Sequence, residues 1–442
     1  MCLDYCIAIG PCLAERYRLS KKKTKDKKFI KQAIYVYRYG IDHAVVTNQD
    51  WTLRYFRLTM GYALALTYSG RYHEATDYLR VARNTFYEIN LYLEARVAND
   101  EEQRLIFNEF LVAYNIADNP RSMMPRMIGP LIKWGKAILE DKLALSDENR
   151  GKITSIIERL SSIKAEKAGS VQETTRLEPN EEYMRYRDYC WKCNLFLSDL
   201  DALYPFTESY PELSKGTGIA KEDAVCCCLR RKRDNHMLYD IIQSYCHARY
   251  LFYQYQMVEL PIYPKFGVIR DDRYGPRLED QEILIDCYIR LYSTIEKVVR
   301  LIGFVFGIDE FRFNHKEFTE LVKKVKSGEK TLDPNLDNVF QLLCEIRPSP
   351  LRNEKVSDGL IFYEMWPDMR WMDSIRNSIM HAGISIRTAE GKVMKPQNYL
   401  LELKEKDLDM QTQRLLFIVK NAILYTYDAI LLEGKRVRRT AP

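Results

Sequence analysis

This chain predicts an all-α protein with one minor extended segment, built as N-terminal helical hairpins followed by a four-helix bundle. Three observations predict it. Glycine and proline are scarce for 442 residues, at 19 and 16, which leaves few of the breaks a turn-rich sheet protein needs. Apolar residues recur mostly at helical spacing rather than in strict alternation. Hydrophobic residues make up 46%, an ordinary globular share, and the length suffices for two or three domains with cores of their own.

The elements follow in order. Cys6 to Ala14 is apolar but short, and no basic residue precedes it, so it does not read as a signal peptide. Residues 30–118 read as consecutive amphipathic helices. The clearest stretch runs from Tyr62 to Ala82 and carries Ala63, Leu66, Tyr72, Ala75, Leu79 and Ala82, with Gly70 at the turn between two helices. Small residues there let paired helices approach closely. The unit resembles one tetratricopeptide repeat, although no clean 34-residue period extends to either side. Pro120, Pro125 and Pro130 interrupt the pattern, with helices expected over 131–141 and 147–165. Residues 164–180 are polar, with Gly169, Ser170, Thr174 and Thr175, and read as a linker. The aromatic run Tyr186 to Leu203 reads as a docking element between domains.

Further helices are expected over 234–258, with Tyr239, Ile242, Cys246, Tyr250 and Tyr253 on one face, and over 278–306, with Ile285, Tyr288, Tyr292, Ile295, Val299 and Ile302. Between them lies a loop marked by Pro261, Pro264, Gly267 and Pro276. Residues 307–366 are mixed and loop-rich. Pro367 then opens a short helix that ends at Gly383. An extended segment carries Ile384, Ile386, Tyr399, Leu401 and Leu403, and a last helix over 407–433 carries Leu415, Val419, Ala422, Ile423, Thr426 and Ile430. Two long helices, a short one and a final long one make a four-helix bundle. The expected division is a helical-hairpin domain at 1–168, a linker and aromatic docking segment at 169–215, and a bundle domain at 216–442 with an insertion at 307–366.

Composition narrows the function. The net charge of +6 permits a polyanionic partner without demanding one. The charge gathers at Lys21, Lys22, Lys23, Lys25, Lys27 and Lys28, and again at Lys435, Arg436, Arg438 and Arg439. Eleven cysteines, an odd number, suit a reducing compartment, and a cytoplasmic location is expected. Cys190 and Cys193 have the spacing of half a zinc site, but the run Cys226 to Cys228 does not supply the other half. No metal or cofactor is implied, and no apolar run approaches the roughly 18 residues of a membrane span.

The candidate site is the run DSIRNSIMHAG, with Asp373, Arg376, Asn377 and His381. Arginine followed five positions later by histidine is a weak signal, because Arg38 with His43 and Arg231 with His236 share the spacing. Only the third instance has an asparagine directly after the arginine and lies on a helix bracketed by Pro367 and Gly383. On a helix Asn377 and His381 are one turn apart on one face, and the long Arg376 side chain can reach the same rim. His381 in the last turn is favoured as an imidazolium by the helix dipole. It can take a proton from a ribose 2′-OH or give one to a leaving 5′-oxygen. Arg376 can stabilise charge on the phosphorane oxygens, Asn377 can orient the histidine or the phosphate, and Asp373 can hold the guanidinium.

Residues 183–432 resemble the HEPN domains, in particular the bacterial group that places HEPN after tetratricopeptide-like repeats. Five stretches carry the resemblance in order: YRDYCWKCNLFLSDLDAL, CHARYLFYQ, YIRLYSTIEKVVRLIGFVFG, IRNSIMHAGISI and FIVKNAILYTYDAI. The resemblance implies a HEPN bundle that forms a homodimer, with two copies of the motif facing each other in one cleft. It implies a metal-independent endoribonuclease acting as a toxin or in anti-phage defence, with Arg376, Asn377 and His381 as catalytic residues and RNA as substrate. The N-terminal repeats would then bind a protein partner or trigger. Cys193 and Ser198 depart from the polar residues relatives tend to have in the aromatic run. The alternative is a non-catalytic nucleotide- or RNA-binding HEPN module whose repeats recruit a partner. A third reading is a scaffold with no chemistry.

Overall fold

The structure, a computed structural model, describes residues 3–20, 23–42, 49–90, 93, 95–118, 124–141, 145–164, 180–215, 217, 223, 234–257, 278–305, 338–339, 375, 379, 384–387 and 401–440. The chain divides into two compact units, Met1–Ala224 and Val225–Pro442. The described residues are helical apart from turns and one pair of short strands.

The first unit contains α1 (Leu3–Leu19), α2 (Lys23–Asp42), α3 (Gln49–Ser69), α4 (Tyr72–Asn90), α5 (Ala95–Asp118), α6 (Met124–Glu140) and α7 (Asp147–Lys164). Each packs on the next, and α1 also meets α3, as α3 meets α5. This is the stacking of helical hairpins, in which each hairpin buries its face against a neighbour. Helices α1, α3 and α5 begin at residues 3, 49 and 95. That repeat is well over 34 residues, which is why no 34-residue period shows in the sequence.

Gly70 makes the turn between α3 and α4 as expected. Its φ of 83° is left-handed, which glycine adopts without a Cβ penalty. Its N–H donates to Thr67 O at 3.1 Å and that of Arg71 to Leu66 O at 2.9 Å, the paired bonds of a Schellman C-cap. Beyond the turn, Ala75 and Ala82 are fully buried. Close approach is sharper still around Tyr37 of α2. A Cβ at Gly10 of α1 would lie 2.6 Å from its Cζ, and one at Gly61 of α3 would lie 2.5 Å from the same atom. The ring is seated between two bare backbones.

Helix α6 begins earlier than the prolines suggested, at Met124, and contains Pro130. An interior proline removes a hydrogen bond and costs about 3 kcal/mol. Against that, Met127, Ile128, Leu131, Trp134 and Ile138 are all buried, at roughly 1.5–3 kcal/mol for each large side chain. Burial outweighs the local penalty.

The aromatic run, read from the sequence as a docking element, fills the core of the first unit. With the residues on either side of it, it forms α8 (Glu181–Lys192), a 3-10 helix (Asp199–Leu203), α9 (Tyr204–Ser209) and α10 (Pro211–Ser214). The 3-10 helix packs on α4, α5 and α6. Trp134 stacks on Phe206 at 6.1 Å and Trp191 meets Tyr204 at 5.7 Å between ring centroids. Asn194, directly after the C-cap of α8, lies in the left-handed region at φ 56°, with Leu195 N bonded to Cys190 O at 2.9 Å. The expected linker lies at 165–179, outside the described residues.

The second unit contains α11 (Asp234–Met257), α12 (Leu278–Val305), β1 (Ile384–Arg387), β2 (Leu401–Lys404) and α13 (Glu405–Thr440). The strands pair in parallel with Ile384 opposite Leu401. On α11 the buried face is Leu238, Ile241, Ile242, Tyr245, Ala248 and Phe252. Tyr239, expected inside, is 57% exposed. The apolar stripe permits two neighbouring choices of face, and packing against α12 selects the one through Tyr245. On α12, Tyr288, Tyr292, Ile295, Val299 and Ile302 are buried as expected, and Ile285 is half-buried. The proline-marked loop falls outside the described residues, as does the 307–366 insertion except Asn338 and Val339, both buried.

Candidate functional site

The second unit rests on an antiparallel pair. Lys297 Nζ of α12 meets Asp240 of α11 at 2.8 Å and Ser244 Oγ at 2.8 Å, while Cys287 Sγ donates to Ala248 O at 3.1 Å. Rising numbers on α11 meet falling numbers on α12. At the far end of α11, Tyr255 Oη donates to Glu405 Oε1 at 3.2 Å and Gln256 Nε2 donates to Asp409 Oδ1 at 2.7 Å. Helix α13 starts there and packs along α12. Every residue from Ile418 to Ala429 is buried, on all faces of the helix, so α13 is the central helix of this unit.

The sequence motif falls between α12 and β1. Asp373, Arg376, Asn377 and His381 lie outside the described residues, as does the helix from Pro367 to Gly383 except for Ile375 and Ile379. Both of those are helical, Ile375 with 1% of its surface exposed and Ile379 half-buried. In the chain His381 precedes Ile384 by three residues, and three residues span at most about 11 Å. The motif therefore leads directly into the strand that pairs beside the start of α13. Of the rival Arg–His spacings, Arg38 is buried in α2 and His236 is exposed in the first turn of α11. His43 and Arg231 lie outside the described residues.

Polar groups buried near the bundle axis went unremarked in the sequence reading. Lys420, Asn421, Thr426 and Asp428 on α13 and Arg249 on α11 are each at most 3% exposed. Lys420, Asn421 and Asp428 fall within a 100° sector of α13. A signal existed: a lysine and an aspartate interrupt the apolar run from Phe417 to Ile430. Charged residues are almost never fully buried unless paired. On the outer side of the pair, His247 of α11 is held below the ordinary histidine range by burial and by the Arg290 guanidinium of α12.

The first unit has a polar centre of its own along one stripe of α4. His73 Nδ1 lies 3.7 Å from Asp199 Oδ1, and Asn194 Nδ2 donates to Asp77 Oδ1 at 2.6 Å. Arg80 Nη2 donates to Asp201 O at 3.2 Å, with its guanidinium 3.2 Å from the centre of the Tyr204 ring. Burial pushes Arg80 down to about 10. Arg83 forms a buried two-pronged pair with Glu109 and also donates to Tyr87 Oη at 2.7 Å and Ser209 Oγ at 3.2 Å. Against the pull of burial, Glu109 holds Arg83 above its ordinary value. These groups are spaced at one helical turn and each grips the 194–209 run, so they fasten that run in place. Periodicity reads apolar stripes and does not reveal this polar one. Cys190 is buried in the last turn of α8, Cys193 is its C-cap, and burial raises the Cys193 thiol. Among the described residues no group of three histidine, cysteine, aspartate or glutamate side chains could hold a metal ion, and no helix is long and apolar enough to cross a membrane.

Residues 230–433 match the family model described as LA2681-like HEPN. The match takes in α11, α12, both strands and most of α13, and it spans the Arg376 to His381 motif. It begins at residue 230, so the aromatic run of the first unit lies outside it. No curated protein and no solved structure matches the chain.

Proposed function

We propose, from the premise that residues 230–433 form an LA2681-like HEPN domain, that this protein is a metal-independent endoribonuclease. The observation that carries the reading is the motif Arg376-Asn377 with His381 inside that domain. Spacing supports it. Ile375, buried, and Ile379, half-buried, are one turn apart. Asn377 and His381 are offset from them by two positions each, which on a helix is about 200°.

In this reading His381 takes the proton of a ribose 2′-OH as the oxygen attacks the adjacent phosphorus. The bond from phosphorus to the 5′-oxygen breaks, and that oxygen leaves with a proton from an imidazolium. The products are a 2′,3′-cyclic phosphate and a 5′-hydroxyl. Arg376 stabilises the charge on the non-bridging oxygens, Asn377 orients the imidazole or phosphate, and Asp373 holds the guanidinium. Two copies in a homodimer would line one cleft, and the N-terminal hairpins would hold the enzyme quiet until a partner or trigger binds. A toxin or anti-phage role follows from RNA cleavage under such control.

Incubation of purified protein with end-labelled RNA in EDTA tests this. Fragments with cyclic phosphate ends are expected, and His381→Ala should slow their formation by about 10²- to 10⁴-fold. In a bacterium, growth arrest should be relieved by the same substitution. Intact RNA and equal growth with both the full chain and a 216–442 fragment would leave only a nucleotide- or RNA-binding module.

A further inference from the structure

We propose that a cleft in the first unit, with Arg80 in its wall, binds a carboxylate. The cleft holds about 230 Å³ and lies between α4, α5, the 3-10 helix and the start of α9. Leu79, Val112, Ala202 and Pro205 give it apolar walls. Arg80 and Glu109 are its charged residues, and the Thr76 hydroxyl is spent on Tyr72 O at 3.1 Å. Arg80 is only 4% exposed. Its Nη2 is taken by Asp201 O, and one face of its guanidinium by the Tyr204 ring. Among the described residues Arg80 has no ion pair, and its Nη1 has no hydrogen-bond partner. Nη1 is the donor left for a ligand.

A cation this deep is ordinarily paired. The neighbouring carboxylates are committed elsewhere. Both oxygens of Glu109 accept from Arg83, and Asp201 Oδ2 accepts from Phe196 N at 3.1 Å. Glu109 and Asp201 favour the Arg80 charge through space, yet burial outweighs them and lowers Arg80 to about 10. A water molecule in the cleft would supply the missing bond and leave the charge uncompensated. An anion supplies both. One spare donor between apolar walls suits a monoanion with a short hydrocarbon tail. Phosphate carries more charge and more oxygens than one donor can satisfy. The carboxylate comes either from a free short acid or from an aspartate or glutamate side chain of a partner. Bound there, it ties α4 to the segment 202–205 that lines the cleft, and so adds to the fastening of the aromatic run.

The site belongs to the first unit and does not depend on the RNA reading above. Saturation-transfer NMR on the full-length protein, with sodium propionate as the probe at constant ionic strength, tests it. Propionate should bind with a Kd of about 1–10 mM, within reach of a ligand of so few atoms. Neutral propionamide should bind about tenfold more weakly or worse, because it leaves the buried charge unmatched. Arg80→Met should weaken propionate by about tenfold or more, the loss of one hydrogen bond to a charged group. Should Arg80→Met fail to fold by circular dichroism, Ala202→Leu decides, since its larger side chain fills the cleft and should abolish binding. Equal binding of propionamide overturns the proposal, as does displacement of propionate by an equal concentration of chloride. Propionate binding that survives both substitutions in folded protein overturns it too. A Gly-Glu-Gly peptide blocked at both ends separates the two sources. Tighter binding than propionate supports the site with a partner's side chain in it, and weaker binding supports it with a free acid.

Discussion

Gly61→Ala should destabilise the first unit, although the same change at an ordinary helix position stabilises. Alanine in place of glycine in a helix interior gains about 1 kcal/mol. At Gly61 the new methyl would sit 2.5 Å from Tyr37 Cζ and 2.7 Å from its hydroxyl oxygen, well inside the ~3.5–4.0 Å of a favourable contact. The ring cannot retreat. It is 4% exposed, and Gly10 of α1 closes its other side. Overpacking of a filled site costs about 1–3 kcal/mol, so the net loss reaches about 2 kcal/mol, at about 2–4 °C in Tm per kcal/mol for a unit of this size. The control is Gly151→Ala on α7, where nothing lies within 4 Å of the new methyl. It should raise Tm. Thermal melts followed by circular dichroism compare the two, and Gly61→Ala should lose most of its effect in a Tyr37→Leu background, a coupling of about 1 kcal/mol. If Gly61→Ala raises Tm as much as Gly151→Ala does, the close seating of Tyr37 is wrong.

Arg83→Met should cost about 3–5 kcal/mol by leaving Glu109 buried without its partner. Arg83→Met with Glu109→Leu should recover most of it in urea titrations, and equal losses in single and double variants would refute the pairing. Asp409 offers a pH test. Burial lifts its carboxyl above the ordinary range, opposed by the bond from Gln256 and assisted by Glu405. A raised folded pKa means the charged form opposes folding, so its cost is present above the folded pKa and disappears as pH falls through that value toward the unfolded one. Asp409→Asn should therefore match or exceed wild-type Tm at pH 7, with the difference shrinking toward pH 4. A gap that widens on acidification would show the opposite shift.

Much of the helical architecture was legible because it rests on local rules. The Gly70 turn followed from one residue able to adopt positive φ between two apolar stripes. The β1 and β2 segments followed from isoleucine and leucine at alternate positions, and the run of α12 from an apolar residue at every turn. Where several local readings were equally good, the sequence was silent. Tyr239 and Tyr245 both lie on plausible α11 stripes, and packing on α12 alone chose between them. Pro130 forbade a helix locally, yet the burial of Trp134 and its neighbours overrode it. The candidate site was legible as residue types at a spacing, and the family match covers it, because a motif and a run of similar residues are both properties of the chain.

What the sequence determined by itself was most of the long helices and their main turn, since each depends on neighbours a few positions apart. Tertiary structure alone decided that the aromatic run belongs to the core of the first unit and that α4 fastens it through His73, Asp77, Arg80 and Arg83. Those facts join residues more than a hundred positions apart, and only the free energy of burying surfaces against one another selects such pairings.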